Sequence, residues 1–417
     1  MIPLAEAQQF VLAGCRLLAA RSVVLDEALG CIAAVTVIAH EPVPPFTNSS
    51  MDGYAVRSSD TQGAPVQLAV ADTVMAGTVS SLVLQPGQAI RIMTGAALPA
   101  GADAVCMLEE TTTTPEGSAV TIERAVPAGN FIRLPGSDIA VGDELLARGT
   151  ALRPAHLGVL ASQGLVTVKV YGRPRVGVLS TGNELVGDGA ALSEGKIRDS
   201  NRHTLLALVR DEGWQGVDLG IVPDDETALL EVFARAGEKC DAIITSGGVS
   251  VGDLDVVKQV LQKIGGSSMR WMQVAIRPGK PFAFGVLEES GVPIFGLPGN
   301  PVSAMVSFEL FVRRGVRQMA GFTDLERPRV RAVADRDFLR RPDGRLHFVR
   351  SRATCDSRGS WHVSPLSAQE SHQLNAMAEA DALAVIPDGN GTTGGGDVEI
   401  FLLDPAHSMS SIRRIEH

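Results

Sequence analysis

The spacing of apolar positions changes repeatedly along the chain, and each change predicts a different kind of element. Phe10, Val11, Leu17 and Leu18 recur on one face at helical spacing, which predicts helical structure over residues 1–40. Glu41-Pro-Val-Pro-Pro45 then stops it, because proline fixes φ and removes a backbone donor, and a domain boundary is expected there. From 42 to 136 the apolar runs shorten to strand length: Val66–Val70, Ala89–Met93, Ala104–Leu108 and Ala119–Ile122, with turns such as Gln85-Pro86-Gly87 between them. This is a β-rich module of barrel or sandwich type, in which Thr111–Thr114 reads as a solvated loop. Leu152–Gly164 reads as a helix that accepts Pro154 in its first turn, and Val166–Val170 as a strand. This stretch is expected to join the N-terminal helices, so that 1–41 and 137–170 make one discontinuous helical domain.

Residues 171–320 alternate between the two periods. Strands are expected at Arg175–Leu179, Val217–Val222, Asp241–Thr245, Gln273–Ile276, Phe282–Val286 and Val292–Phe295. Helices are expected at Ser200–Glu212, Asp225–Glu238, Asp253–Ile264 and Pro301–Met319. The alternation predicts an open α/β sheet with helices on both faces, whose ligands sit beyond the carboxyl ends of the strands. Residues 321–417 return to short strands at Arg329–Val333, Leu346–Arg350, Trp361–Val363, Ala382–Ile386 and Val398–Leu403, which predicts a small C-terminal β-barrel. The fold class is therefore multidomain, α/β plus β.

Composition narrows the function. The 417 residues are 45% hydrophobic and 20% charged, values of a folded multidomain protein rather than a disordered one. A formal net charge of −10 and 4% aromatic residues argue against a nucleic-acid partner, which needs a basic surface and stacking platforms. A small anion remains admissible, since backbone N–H groups and a few cations suffice to hold one. Cys15, Cys31, Cys106, Cys240 and Cys355 have no C-x-x-C spacing, so buried thiols in a reducing compartment are expected rather than a zinc or disulfide framework. The stretch Leu4 to Ala20 is interrupted by Glu6, Gln8, Gln9 and Arg16 and lacks a basic start. No membrane span or signal segment is expected, and a cytoplasmic location is.

The chemistry-bearing residues gather at the expected strand ends of the α/β segment. Thr245-Ser-Gly-Gly-Val-Ser-Val-Gly-Asp253 runs from a strand into a helix. Ser246, Gly247, Gly248 and Ser250 there offer a backbone cradle for an anion, although the loop is neither a Walker A loop nor a dinucleotide fingerprint. Ser180-Thr-Gly-Asn-Glu-Leu185 and Pro223-Asp224-Asp225 end two further strands. Glu184, Asp224 and Asp255 thus meet on one rim, where carboxylates repel one another unless a cation or proton lies among them. Mg²⁺ bridging to phosphate answers that requirement, since it takes a couple of carboxylates plus substrate oxygens. Ile276-Arg-Pro-Gly-Lys-Pro281 brings Arg277 and Lys280 to a turn, and Gly296-Leu-Pro-Gly-Asn-Pro-Val-Ser303 brings Pro298, Gly299 and Asn300 to a helix start. The alternative is that the cations simply pair with the acids. Asp52, Thr94 and Asp138 lie on loops of or beside the β-rich module, and their chemistry alone assigns them no role.

Taken in order, Asn48-Ser-Ser-Met-Asp-Gly-Tyr-Ala55, Met93-Thr-Gly95 with Gly101-Ala-Asp103, Gly136-Ser-Asp138, Ser180-Thr-Gly-Asn-Glu184, Ser246-Gly-Gly-Val-Ser-Val-Gly252, Arg277-Pro-Gly-Lys280 and Leu297-Pro-Gly-Asn-Pro301 resemble the MoeA family of molybdopterin molybdenumtransferases, which includes the C-terminal domain of gephyrin. The resemblance covers nearly the whole chain. It implies four domains: 1–41 with 137–170, 42–136, 171–320 and 321–417. It also implies an elongated homodimer whose cleft takes the β-rich module from the other subunit. The implied reaction takes adenylylated molybdopterin and molybdate with Mg²⁺ and releases AMP as molybdenum joins the dithiolene. An adenylylating partner enzyme and acceptor molybdoenzymes are the further implied partners. Carried over residue by residue, Asp52, Thr94, Asp138, Glu184, Asp224 and Asp255 are catalytic, with Asp224 and Asp255 on the metal, and Arg277, Lys280, Arg350 and Ser371 hold substrate. Thr47 stands where many members have Asp, Gln273 stands where many have Lys, and the sequence after Ser371 diverges. Adenylylation by the α/β segment itself and a non-enzymatic scaffold are the rival readings.

Overall fold

The computed structural model describes residues 1–187, 189, 191–248 and 256–403. By backbone compactness the chain forms two units: one of Met1–Ser22, Gly30–Ala34 and Lys169–His417, the other of Val23–Leu29 and Val35–Val168.

The first 40 residues correct the sequence reading. A helix, α1, spans only Leu4–Gly14. The chain then enters short strands at Ala20–Val24, Ile32–Ala33 and Val37–Ile38. The β-branched residues Val23, Val24, Ile32, Val35, Thr36, Val37 and Ile38 disfavour helix and suit a pleated surface.

In the smaller unit, β1 (Gly53–Val56), β2 (Val66–Val74), β3 (Gln88–Ile92), β4 (Ala104–Met107), β5 (Thr111–Thr113) and β6 (Ala119–Ile122) form one sheet in the order β4-β1-β3-β2-β6-β5. Thr111–Thr113, expected as a solvated loop, is its edge strand: its threonines pair with Val120–Ile122, and β-branched residues fit an edge. Alternation puts Tyr54, Val56, Ala104 and Cys106 in one apolar cluster and Ala55, Val105, Ile90 and Ile92 in another, so both faces of the sheet are covered. Gly53 is required where β1 meets β4, since a Cβ there would fall 1.9 Å from the Cys106 carbonyl oxygen. A helix, α2, covers Pro154–Ser162.

The larger unit holds the α/β sheet. Its elements are β7 (Arg175–Thr181), α3 (Asn201–Asp211), β8 (Gln215–Val222), α4 (Glu226–Lys239), β9 (Ala242–Ser246), α5 (Val256–Gly265), β10 (Arg270–Gln273), β11 (Pro281–Val286) and β12 (Pro293–Leu297). One continuous helix, α6, follows through Pro301–Ser307, a π-helical stretch Phe308–Val312 and Arg313–Met319. The strand order is β8-β7-β9-β12-β11-β10, parallel from β8 to β12 and antiparallel beyond. Helices cover both faces. Val176, Val178 and Ile244 pack with α3, α6 and α1, whereas Leu179 and Ile243 pack with α4 and α5. Helix α1 lies against α6 so closely that a Cβ on Gly315 would meet Cys15 Sγ at 2.7 Å. At the C-terminal ends of α3 and α6, Glu212 binds Arg313, Arg317 and Arg327 at 2.6, 3.3 and 3.3 Å in a buried ion network.

The C-terminal strands β13 (Arg329–Ala334), β14 (Leu346–Cys355), β15 (Trp361–Pro365), β16 (Ala382–Ile386) and β17 (Asp397–Leu402) close into a five-stranded barrel, because β14 pairs with both β15 and β16. The two-residue strand Ile276–Arg277, between β10 and β11, pairs with Leu346 and His347 at the start of β14. This junction carries the Arg277 loop from the α/β sheet onto the barrel. All five cysteines are free and buried, and burial pushes Cys15 up to about 12 and, with Glu110 nearby, Cys106 up to about 11. Among the described residues no helix is long and apolar enough to cross a membrane.

Candidate functional site

The chain leaves β7 to one side for β8 and crosses to the other for β9. The carboxyl ends of β7 and β9 therefore flank the point where the strand order reverses, the usual ligand position in an open α/β sheet. A pocket of about 220 Å³ opens there, lined by Ser180, Thr181 and Glu184 after β7, Ser246 and Gly247 after β9, and Gly299 and Pro301 after β12. Gly247 has φ +101°, and a Cβ there would lie 2.7 Å from the Thr181 carbonyl oxygen. Only glycine lets the two strand-end loops approach this far. The Gly247 N–H also donates to the Leu297 carbonyl at 3.1 Å, which ties β9 to β12.

The polar frame behind the pocket was not singled out from the sequence. Asp199-Ser200-Asn201 has the composition of a helix cap, yet Ser200 makes no capping bond. The side chains turn to the strand ends instead. Asp199, with a side chain 1% exposed, accepts from Ser180 Oγ at 2.9 Å and from Arg202 Nε at 3.0 Å. Asn201 Nδ2 donates to Ser246 Oγ and to the Gly299 carbonyl, both at 2.7 Å. These two residues thereby fix the ends of β7, β9 and β12 in one frame. The only hint in the sequence was three adjacent polar residues before an apolar helix. The Thr181 hydroxyl, buried at the pocket, has no hydrogen-bond partner among the described residues, and a buried polar group in that state calls for a ligand or a water.

On the rim, the Glu184 carboxylate is exposed and has no hydrogen-bond or ion-pair partner among the described residues. Asp224 Oδ2 accepts from the Asn183 N–H at 3.3 Å, and the Asp224 N–H returns a bond to Asn183 Oδ1 at 3.3 Å, so the ends of β7 and β8 are stitched together. Ser250 and Asp255 lie outside the described residues, and Gly248 is the last described residue of its loop. Among the described residues no group of three His, Cys, Asp or Glu side chains is placed to hold a metal alone. The donors present, hard carboxylate oxygens beside the pocket, fit Mg²⁺, which takes few protein carboxylates and fills its shell with substrate oxygens and water.

A second set of residues converges where the barrel meets α6. Arg350, 1% exposed, donates through Nε and Nη2 to the carbonyls of Ala368 and Glu370, while its Nη1 is buried without a partner among the described residues. Ser371 follows, and its carbonyl accepts from the Val302 N–H at the start of α6. Gly279, in the Arg277–Lys280 turn, sits against the same helix: a Cβ there would be 2.9 Å from Ser307 Oγ, itself buried and unpaired among the described residues. Arg277 is exposed, 3.9 Å from Glu370. Pro298 is buried, whereas Gly299 and Asn300 are exposed at the helix start. The structure thus sets the Arg277–Lys280 turn and Ser371 against α6, with Arg350 bonded to the segment that leads to Ser371; a guanidinium N–H of the kind Arg350 offers suits an oxyanion.

Asp52, Thr94 and Asp138 belong to the smaller unit. Asp52 Oδ1 accepts from the Thr94 N–H at 2.6 Å and Oγ1 at 2.9 Å, and these bonds hold the carboxyl below the usual aspartate range. The exposed Asp138 side chain makes no bond to that pair. A depressed carboxyl pKa adds stability that is present above the unfolded value and lost as pH falls through the folded one. Thr94→Val keeps the backbone bond and removes the hydroxyl one. The Asp52 pKa is expected to rise in this variant, measured by carboxyl ¹³C NMR titration, and an unshifted titration would refute the hydroxyl bond.

Comparison with known proteins identifies the family. The MoeA N-terminal region (domains I and II) matches residues 2–164, a molybdopterin-binding domain family matches 177–318, and the MoeA C-terminal region (domain IV) matches 331–403. A molybdopterin molybdenumtransferase of Haemophilus influenzae is 40% identical over 374 residues, 89% of this chain and 91% of the relative. One from Staphylococcus aureus is 35% identical over 97% of this chain and 96% of its own length. A crystal structure of a molybdopterin biosynthesis MoeA protein from Pyrococcus horikoshii superposes with a TM-score of 0.79 at 30% identity, covering 97% of this chain and 99% of that one. On sequence, on domain content and on fold, the chain belongs to the MoeA family of molybdopterin molybdenumtransferases.

Proposed function

We propose that this chain is a molybdopterin molybdenumtransferase, which takes adenylylated molybdopterin and molybdate, releases AMP and delivers molybdenum to the dithiolene. The observation that carries the reading is the pairing of a switch-point pocket with an oxyanion corner in one unit. Among the described residues, the Thr181 hydroxyl at the pocket, Arg350 Nη1 and Ser307 Oγ are buried without a hydrogen-bond partner. In this reading Ser246, Gly247, Gly248 and Ser250 hold the pterin phosphate, and Pro298, Gly299 and Asn300 shape the pocket floor. Arg277, Lys280, Arg350 and Ser371 hold molybdate, a tetrahedral dianion, by charge-assisted hydrogen bonds. Glu184, Asp224 and Asp255 act on the phosphoanhydride, and Asp224 and Asp255 would hold Mg²⁺. That ion would neutralise the phosphate oxygens as the anhydride breaks.

Incubation of the purified chain with adenylylated molybdopterin, Mg²⁺ and molybdate is expected to yield AMP and metal-bound cofactor together. AMP transfer from ATP to free molybdopterin, without metal insertion, would establish the adenylylating activity instead. The reading also takes up the four domains expected from the sequence and a cytoplasmic homodimer in which Asp52, Thr94 and Asp138 of one subunit complete the other's cleft. Neither Asp52→Asn nor Glu184→Gln dimers then have an intact site. Mixed dimers have one, and mixing the two inactive proteins is expected to restore AMP release. Full activity from a verified monomer would overturn this part.

A further inference from the structure

The amino ends of the parallel strands, the pole opposite the switch-point pocket, carry a separate cavity. Helices α4 and α5 both end at this pole, and the turn from Leu287 to Gly291, which joins β11 to β12, lies across their ends. Two glycines seat that turn. A Cβ on Gly237 of α4 would lie 2.9 Å from Ser290 Oγ, and one on Gly266, just past α5, would run into the Glu288 carboxylate. The Glu288 N–H donates to the Ile264 carbonyl at 3.0 Å and so ties the turn to the last turn of α5. Between these three elements opens a cavity of about 700 Å³. Its floor is apolar: Phe233 and Leu287 are buried, and Leu230 and Ile264 are half-buried beside them. Ala234, exposed on the outer side of α4, keeps the mouth open because its side chain is too short to fill it.

The charge around this floor is one-sided. Glu238, Glu288 and Glu289 line the cavity against Lys263, and Lys263 is already bound to Glu226 at 2.9 Å. The three carboxylates are exposed, and none of them makes a hydrogen bond or ion pair among the described residues. The helix ends deepen the same field, since the last carbonyls of α4 and α5 carry partial negative charge. Glu288 beside the end of α5 is an acid where the helix dipole favours a base. A cation relieves this arrangement, and an apolar floor of this kind suits an organic one. The volume falls within the roughly 300–1,000 Å³ of small organic ligands, whose sites are largely apolar with a few placed polar groups.

We propose that this cavity is a ligand site for a small organic amine, whose apolar body lies on Phe233 and Leu287 and whose ammonium is held by Glu238 and Glu289. The inference is independent of turnover, and its test reads binding alone. Phenethylamine, protonated at neutral pH, is titrated into the full chain with Leu and Ile methyls ¹³C-labelled. It is expected to shift Leu230, Ile264 and Leu287 saturably and to leave Leu185 and Ile197 of the switch-point pocket in place. Ethylamine, which lacks the ring, is expected to bind at least about tenfold more weakly, the loss of one buried aromatic body. Phenylacetate, with the same ring and the opposite charge, is expected not to shift these signals. Glu289→Gln, which removes no hydrogen bond or ion pair of the described residues, is expected to weaken phenethylamine binding about threefold, the size of an exposed ion pair. Ala234→Phe, which fills the mouth from an exposed position, is expected to abolish it. Shifts that are absent or fail to saturate, equal affinity for phenylacetate or ethylamine, or undiminished binding in either variant would each overturn the proposal.

Discussion

Glu184→Gln is expected to lower AMP release from adenylylated molybdopterin by about a hundredfold or more, within the 10²–10⁴ range for a carboxylate acting in acid–base chemistry. The fold gives this residue nothing to do. Its carboxylate is exposed at the pocket rim and has no partner among the described residues. The turn before it is even shaped to keep it there: Gly182 has φ +145°, and a Cβ at that position would fall 2.5 Å from Glu184 Oε2. Glutamine keeps the shape and removes only the charge, so the stability change is expected to stay within about 0.5 kcal/mol, as for ordinary surface exchanges. Single-turnover AMP release and thermal unfolding on one sample separate chemistry from structure. Wild-type AMP release would remove Glu184 from the proposed machinery.

Asp199→Asn is expected to act in the opposite way, through the frame. Its carboxylate is buried and receives Ser180 Oγ, the Arg202 N–H and Arg202 Nε. Asparagine takes away the carboxylate that binds Arg202, whose side chain is 9% exposed, at 3.0 Å. Breaking a buried ion pair from one side costs about 3–5 kcal/mol. Trp214, Trp271 and Trp361 all lie in the larger unit, so tryptophan fluorescence in a denaturant titration reports that unit alone. Loss of stability there, with the smaller unit unaffected, is the expected result. Substrate affinity is expected to fall as well, since Ser180 loosens at the end of β7. A variant as stable as wild type would show that Asp199 does not hold the strand ends.

The larger unit owes its legibility to its short-range pattern. Runs such as Ala242–Ser246 between turn residues read directly as buried strands, and the glycine-rich loops after them read as strand-to-helix turns, because period and turn chemistry reside in neighbouring residues. The carboxyl ends of β7, β8 and β9 therefore fell where the pattern put Ser180, Asp224 and Ser246. The ordered motifs carried the family for the same reason.

What the pattern did not carry is partnership at a distance. Residues 15–40 have enough apolar positions to imitate a helix, and their β-branched residues decide for strand only once partners such as Val170 and Tyr171 lie beside Ile32 and Ala33. Thr111–Thr113 is a polar run until β6 supplies its ladder. Asn201 looks like a cap until Ser246 and Gly299, 45 and 98 residues away, arrive to accept its amide. Arg340 and Arg341 look alike in sequence, and only the carbonyls of Arg345 and Ile386 and the carboxylates of Asp343 and Asp388, which surround Arg340, tell them apart. Local propensity and side-chain chemistry are properties of the chain itself, whereas which donor meets which acceptor, and which charge is left over, is decided by packing between segments remote in sequence.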